Sequence, residues 1–413
     1  MNRFLAFLFI TGCITLHAQV NIDSLDHRLN KLSKDFSPYA NLRINGWMQP
    51  EFQYAASQGE KTVAGGDFAP YSNNRFILRR SRIKFTYTYK NSEFVLQPNF
   101  TQDGINITDF YVKTWLPKFT ALGIQLGCFN RPFGYEIGYS SSLRESPERS
   151  RFTQTLFPQE RDLGAAVILD GAKLKKGKFF RLDAGFFNGT GLGTKDFDSH
   201  KDLISHLKLY KNFRHDSLKL SGGFSFYNGL VTDTVQKQYD YSSDSRSFVA
   251  TMPGGIRSHI RRYAGMDLQF AFKTRIGETT LRAEYISGIQ PGGISSTVSP
   301  AKLNDKANYQ RTVSGLYFYF VQDINRLRSQ VVFKYDTYDP NTRVKGHEVS
   351  SAKGFGEGDV RYNTLGFGYN YFINDVTKFM VYYDHVVNET TQLSAFGKDL
   401  NDDLIICRIQ IRF

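Results

Sequence analysis

The last ten residues, LIICRIQIRF from Leu404 to Phe413, alternate between apolar and polar side chains. Ile409 and Ile411 occupy one set of alternate positions, and Arg408 and Gln410 occupy the other. A period of two predicts a β-strand with one apolar and one wet face. Such a strand either closes a barrel or forms the edge of a soluble β-sandwich, and the remaining sequence has to distinguish these two folds.

Segments with a strand-like pattern recur along the whole chain from about residue 40. They cover roughly residues 40–55, 75–89, 92–101, 106–116, 121–131, 162–173, 178–188, 202–213, 217–228, 262–274, 278–288, 311–322, 326–338, 360–372, 376–388 and 403–413. Their connections alternate between short and long. The long ones cover about 57–74, 132–161, 189–201, 229–261, 289–310, 339–359 and 389–402, with one brief exception near Asp103 and Gly104.

This alternation of connection length separates the two folds. Nothing in a soluble sandwich requires short and long connections to alternate, whereas an outer-membrane barrel has tight periplasmic turns and long outer loops. We therefore predict an all-β protein, a transmembrane antiparallel β-barrel of about 16 strands with short periplasmic turns and long extracellular loops. The predicted location is the outer membrane of a Gram-negative bacterium.

The amino terminus has the pattern of an export signal. Arg3 precedes an apolar stretch that is too short to span a bilayer, and Ala18 offers a small residue for cleavage. Residues 1–18 are therefore predicted to be a signal peptide, with a lipoprotein cleavage before Cys13 as the alternative. Residues 19–38 are predicted to form a short periplasmic amphipathic segment, and residues 39–413 the barrel.

Strand parity sorts the charges of the second segment by face. Arg80, Arg82 and Lys84 share one face, and apolar residues such as Phe85 share the other. A cation facing lipid near mid-membrane costs about 2–4 kcal/mol, so the basic face is expected to line the lumen. Arg79 has the opposite parity and is expected to snorkel at the outer rim.

The formal net charge of +13 then has two interpretations. A basic lumen with low-dielectric walls would concentrate anions. Alternatively, the cations solvate a wet wall and bind anionic lipid head groups at the outer rim. Nucleic-acid binding is not expected, because the charge is spread around a wall rather than gathered in one patch.

Enzymatic motifs are missing from the sequence. The histidines show no paired metal spacing and lie beside no recognisable serine motif, and His347-Glu348 lacks the second histidine of a zinc helix. We expect neither an enzyme nor a cofactor or metal site.

Short motifs between residues 75 and 164 carry a family resemblance. These are Arg75-Phe76, the run from Leu78 to Arg82, Asp109 before Tyr111, Arg131-Pro-Phe-Gly-Tyr-Glu136, Glu148-Arg-Ser150 and Arg161-Asp-Leu-Gly164. In this order they resemble the phosphate-selective porin O and P family. The resemblance implies a homotrimeric 16-stranded porin that passes anions such as phosphate, with the loop at about 132–160 folded into the channel.

The expected function is passive diffusion of small anionic solutes, with phosphate or polyphosphate among them, through a basic lumen. The alternative is a receptor or adhesin whose long loops bind a ligand and whose lumen is not open. Glu148 and Arg149 could also serve only to pin the loop to the wall. Candidate residues lining the pore are Arg43, Arg80, Arg82, Lys84, Asp109, Arg131, Glu136, Arg149 and Arg161.

Overall fold

The structure is a computed structural model that describes Lys31 and residues 39–213, 217–234, 237–251, 257–299 and 307–413. The predicted signal peptide and nearly all of the predicted segment 19–38 lie outside the described residues. The chain divides into two compact units, Met1–Leu42 and Arg43–Phe413. The second unit is almost entirely β-structure.

Eighteen strands are present among the described residues. They are β1 (Leu42–Ala55), β2 (Asn74–Tyr89), β3 (Ser92–Thr101), β4 (Gly104–Trp115), β5 (Leu122–Asn130), β6 (Arg161–Asp170), β7 (Phe180–Phe187), β8 (Asp202–Phe213), β9 (Leu218–Asp233), β10 (Lys237–Ser242), β11 (Ser247–Thr251), β12 (Arg257–Lys273), β13 (Glu278–Gly292), β14 (Ala307–Ile324), β15 (Ser329–Asp339), β16 (Tyr362–Phe372), β17 (Thr377–Asn388) and β18 (Leu404–Arg412). One short helix, α1 (Arg151–Leu156), lies between β5 and β6.

Sixteen of these strands form a closed antiparallel barrel, which confirms the predicted fold. The final strand, β18, pairs with β1 through a register that sets Arg408 opposite Glu51. This pairing leaves no free edge on either strand, and it explains why the amphipathic pattern continues to the end of β18.

The other two strands correct the prediction that residues 229–261 are a plain loop. Strand β9 pairs directly with β12, so β10 and β11 form a hairpin outside the barrel wall. The hairpin is held by a parallel pairing of β10 with β14. Strands of only 6 and 5 residues give little periodic signal, and β14, the partner of β10, is distant in sequence.

The faces of β18 follow the predicted parity. Arg408 is 1% exposed, whereas Ile409 is 45% exposed. The outward side of the barrel is therefore apolar, and the inward side carries the charges. Arg412 has the parity of Arg408, which would place it in the lumen, but it is exposed at the end of the strand and donates to the Asp375 carbonyl at 3.2 Å.

The barrel interior contains residues 132–160, including α1, which packs against β14 and β15. Phe133, Phe152 and Phe157 of this segment are each 1% exposed and join an apolar cluster with inward-facing tyrosines of the wall. No helix among the described residues combines the length and the apolar composition needed to cross a membrane.

Candidate functional site

Residues 132–160, hereafter the inner segment, are hydrogen-bonded to the inward faces of strands around the barrel. Near its start, the Gly134 amide donates to Ser225 Oγ of β9 at 2.8 Å. Near α1, the Arg151 amide donates to Asp336 Oδ2 of β15 at 2.7 Å. These contacts lie on different strands, so the segment is fixed at more than one point.

Gly134 is required at the first of these contacts. Its φ of +63° lies in the left-handed region, which disfavours residues with a side chain. A Cβ at this position would overlap the Glu284 carboxylate. That carboxylate accepts hydrogen bonds from the amides of Tyr135 and Glu136, at 3.1 and 3.0 Å.

Glu148 is the centre of a charged contact between the inner segment and three arginines of the wall. Its carboxylate forms ion pairs with Arg79 and Arg80 of β2, both at 2.8 Å, and with Arg408 of β18 at 3.3 Å. We call these four residues the Glu148 cluster. Burial alone would raise the pKa of Glu148, but the three guanidinium groups hold that pKa well below its usual value. Arg408 also pairs with Glu51 of β1.

The contact of Arg79 corrects the expectation that this residue snorkels at the outer rim. Its Nε donates to Glu148 Oε1, and the side chain is 24% exposed. A buried carboxylate with two oxygens can accept from more than one guanidinium, and this outweighs the parity of the residue on its strand.

A second ionic network lies around Glu160, at the carboxyl-terminal end of the inner segment. Glu160 pairs with Arg149 and with Arg161, the latter at 2.8 Å, and Arg161 Nε donates to Asp109 Oδ1 at 2.6 Å. Burial opposes ionisation of Glu160, yet the neighbouring arginines lower its pKa below the usual range. The network ties the end of the segment to β4 and β6.

Glu136 has a different role from the one predicted. Its carboxylate accepts from the Ser150 amide at 3.0 Å and from the Ser150 and Thr153 hydroxyls at 2.6 and 2.8 Å. These bonds fix the start of α1 within the inner segment. Glu136 is 3% exposed and does not line the cavities described below.

The two larger cavities between the inner segment and the wall, among the described residues, differ in volume and lining. The larger, of about 540 Å³, is lined by residues that include Arg79, Arg80, Arg82, Glu148, Arg149 and Glu160. The smaller, of about 270 Å³, is lined by residues that include Lys84, Asp109 and Arg131. We call them the upper and the lower cavity.

The cations lining these cavities fall into two groups. Arg80 and Arg149 are in ion pairs. Arg82 donates to the neutral side chain of Asn99 at 3.2 Å, and Arg131 donates to the carbonyls of Pro158 and Glu160. Within the part of the chain that the structure describes, no carboxylate forms an ion pair with Arg82, Lys84 or Arg131.

Arg43 is a predicted site residue that lies apart from the inner segment and its ion pairs. It is exposed at the start of β1 and does not line either cavity. Two residues outside the predicted set, Arg282 of β13 and Glu145 of the inner segment, form a further buried pair. The alternation within β13 could have indicated that Arg282 points inward. Its partner Glu145, in the inner segment, could not be predicted from the sequence.

The described residues contain no group of three or more His, Cys, Asp or Glu side chains arranged to hold a metal ion.

Comparison with known proteins places the fold. No protein-family model matches the sequence, and no curated protein matches it. Among solved structures, OprB of Pseudomonas putida is 10% identical with a TM-score of 0.56, covering 95% of this chain and 97% of that one. The anion-selective porin from Comamonas acidovorans is 11% identical with a TM-score of 0.53, covering 90% and 99%.

A further structural neighbour is the outer-membrane channel DcaP of Acinetobacter baumannii, 11% identical with a TM-score of 0.52, covering 90% of this chain and 97% of that one. At such identities the similarity concerns the fold alone. That fold is the transmembrane β-barrel seen in outer-membrane porins, and it fits the predicted location in the outer membrane of a Gram-negative bacterium.

Proposed function

We propose that this protein is a porin through which small anionic solutes, phosphate among them, diffuse passively across the outer membrane. The inner segment forms the constriction, and the upper and lower cavities are parts of the path. The porin fold supports a channel rather than an enzyme. The resemblance to the phosphate-selective family supports phosphate as a solute and a homotrimer as the assembly.

The observation that carries the proposal is the state of Arg82. Its guanidinium lines the upper cavity, and no carboxylate among the described residues forms an ion pair with it. An anion about 4 Å away would gain on the order of 4 kcal/mol at an effective dielectric constant of 20, before its dehydration. Since about 1.4 kcal/mol is a tenfold difference, one unpaired arginine at a constriction is enough to favour anions.

Lys84 and Arg131 extend this positive potential into the lower cavity. Arg80, Arg149 and Arg161 contribute less to it, because Glu148, Glu160 and Asp109 compensate their charges. We therefore assign selectivity to Arg82, Lys84 and Arg131, and attachment of the inner segment to the paired arginines.

The test is the reversal potential of the purified protein in a planar bilayer under a chloride gradient. The native protein is expected to conduct with a preference for anions, and Arg82→Ala to lose a large part of this preference. Arg43→Ala is the matched control, since Arg43 is exposed and lies outside both cavities. A cation-selective native channel, or equal effects of the two variants, would contradict the proposal.

The same recording separates the alternative function. A receptor or adhesin with a closed lumen would show no stable conductance. If the chloride current is present, phosphate added at low concentration should reduce it for a phosphate channel and leave it unchanged for a general anion pore.

A further inference from the structure

The outward face of β8, β9, β12 and β13 carries a groove of about 1130 Å³ that the channel function does not use. Its lining includes Leu220, Gly222, Phe224, Met266, Leu268 and Tyr285. We call it the outer groove. Phe224, Met266 and Leu268 are 60%, 52% and 55% exposed, so the apolar side chains stand free on the barrel exterior.

The groove arises from small residues in one row of the barrel wall. Gly222 lies opposite Leu268 in the pairing of β9 with β12, and Leu268 lies opposite Ala283 in the pairing of β12 with β13. Because Gly222 and Ala283 on either side of Leu268 are small, the surface in this row lies below that of neighbouring rows with larger side chains. The volume exceeds the roughly 300–1,000 Å³ of common small-ligand pockets, so a long apolar group fits.

One end of the groove is basic. Lys178, in the turn between β6 and β7, and Lys211, near the end of β8, both line it. The same turn carries the exposed residues Lys173, Lys175 and Lys176. In the described part of the chain, no carboxylate pairs with Lys178 or Lys211, and this end is the periplasmic one because the turn is short.

We propose that the outer groove binds an anionic phospholipid of the inner leaflet. An acyl chain lies along the apolar floor, and the phosphate of the head group meets Lys178 and Lys211. The exposed ring of Phe179, 56% exposed, stands beside them at the level where aromatic side chains meet head groups. Basic pockets at the ends of membrane-spanning segments are suited to anionic head groups.

The charges favour a lipid over a second copy of the chain. In a second copy the same groove carries the same two lysines, so packing one groove against the other would bring like charges together. An anionic head group neutralises them. This inference requires only the membrane-embedded barrel and is independent of which solute crosses the lumen.

The head-group part is tested by native mass spectrometry of the full-length protein in detergent, with phosphatidylglycerol or zwitterionic phosphatidylcholine added. The native protein should retain phosphatidylglycerol preferentially. In the double variant Lys178→Glu/Lys211→Glu this preference should fall about 30-fold or more, because the removal of each lysine alone is expected to lower it about fivefold. The charge-matched control is Lys90→Glu/Lys118→Glu, at two turns outside the groove.

The acyl-chain part is tested by filling the groove. Ala283→Phe should reduce retention of phosphatidylglycerol, whereas Ala165→Phe, on the exposed face of β6, should not. If Ala283→Phe fails to fold by circular dichroism, the lysine variants still decide. Equal retention by the lysine double variant and its control, or equal retention of the two lipids, would overturn the proposal. A photo-crosslinker at Met266 that captures a second copy rather than lipid would overturn it as well.

Discussion

Arg80 and Arg82 lie two residues apart on the same face of β2, yet their surroundings differ. Arg80 is 5% exposed and forms a two-point contact with the Glu148 carboxylate, at 2.8 and 3.1 Å. Arg82 instead donates to the side-chain oxygen of Asn99 and lies 5.8 Å from the centre of the Trp47 ring, and no carboxylate of the described residues forms an ion pair with it. On one strand, Arg80 thus attaches the inner segment, whereas Arg82 remains outside any ion pair.

What separates the two positions is the course of the inner segment. Glu148 of the segment reaches Arg80, whereas the upper cavity remains open beside Arg82. A pair between buried charges offers little net stability compared with apolar packing, but its loss is expensive because one charge is left without a partner. Such pairs are suited to fixing one position of a loop, and an unpaired cation is suited to meeting a mobile anion.

The largest effect is expected from removing the carboxylate at the attachment. Glu148→Gln leaves the guanidinium groups of Arg79, Arg80 and Arg408 without their shared partner. We expect the free energy of unfolding to fall by about 3–5 kcal/mol. We also expect larger and noisier single-channel currents, because the inner segment is released from β2 and β18. Urea unfolding in detergent and bilayer recording measure the two effects.

Glu278→Gln is the control for this change. Glu278 pairs with Lys219 at 3.0 Å, and both side chains are 30% exposed or more. An exposed pair contributes less than about 1 kcal/mol, and this one lies away from the inner segment. If Glu278→Gln destabilised the protein as much as Glu148→Gln, the distinction between attached and free regions would not hold.

A smaller effect is expected at the start of the inner segment. Gly134→Ala forces a side chain into left-handed backbone, at about 1–2 kcal/mol, and its methyl group overlaps the Glu284 carboxylate. The amides of Tyr135 and Glu136 should then lose their acceptor. A lower urea midpoint together with altered conductance would be the expected result.

Gly138→Ala provides the comparison within the same segment. A Cβ at Gly138 would meet only the Tyr135 carbonyl, at 3.7 Å, which is an ordinary contact. Its unfolding midpoint should stay close to that of the native protein. Similar losses for both variants would argue that any added methyl group disturbs the segment, rather than the specific contact at Gly134.

The sequence predicted the wall better than the contents of the lumen. Strands and their faces could be predicted from two local patterns, the alternation of side chains within β2 and β18 and the alternation of loop lengths. Both patterns depend only on residues that are close in sequence. The partners of Arg80, Arg282 and Arg408 depend on where a loop of 29 residues, 132–160, folds, and nothing local encodes that. The same reason hid the hairpin of β10 and β11, whose position is set by pairing with β14.

A pH-dependent effect separates a carboxylate held in ion pairs from one that has none in the described part of the chain. Asp402, just before β18, is 7% exposed, and its Oδ1 is buried without a hydrogen-bond partner among the described residues. Burial raises its pKa to about 7, although Arg151 opposes the shift. In the unfolded chain an aspartate titrates near a pKa of about 3.9. The folded state therefore holds the proton more tightly, and stability is lost as pH rises from about 4 to 7.

Asp402→Asn removes this loss, so its gain in unfolding midpoint over the native protein should grow between pH 5 and pH 8. Asp375→Asn, at a fully exposed side chain, should show no such growth. Glu148 behaves in the opposite sense. Because its pKa is held well below the usual value, its contribution is present at neutral pH and declines only as pH falls below about 4.3. A gain for Asp402→Asn that stayed constant across this range would mean that Asp402 is ionised in both states, with Arg151 compensating its burial.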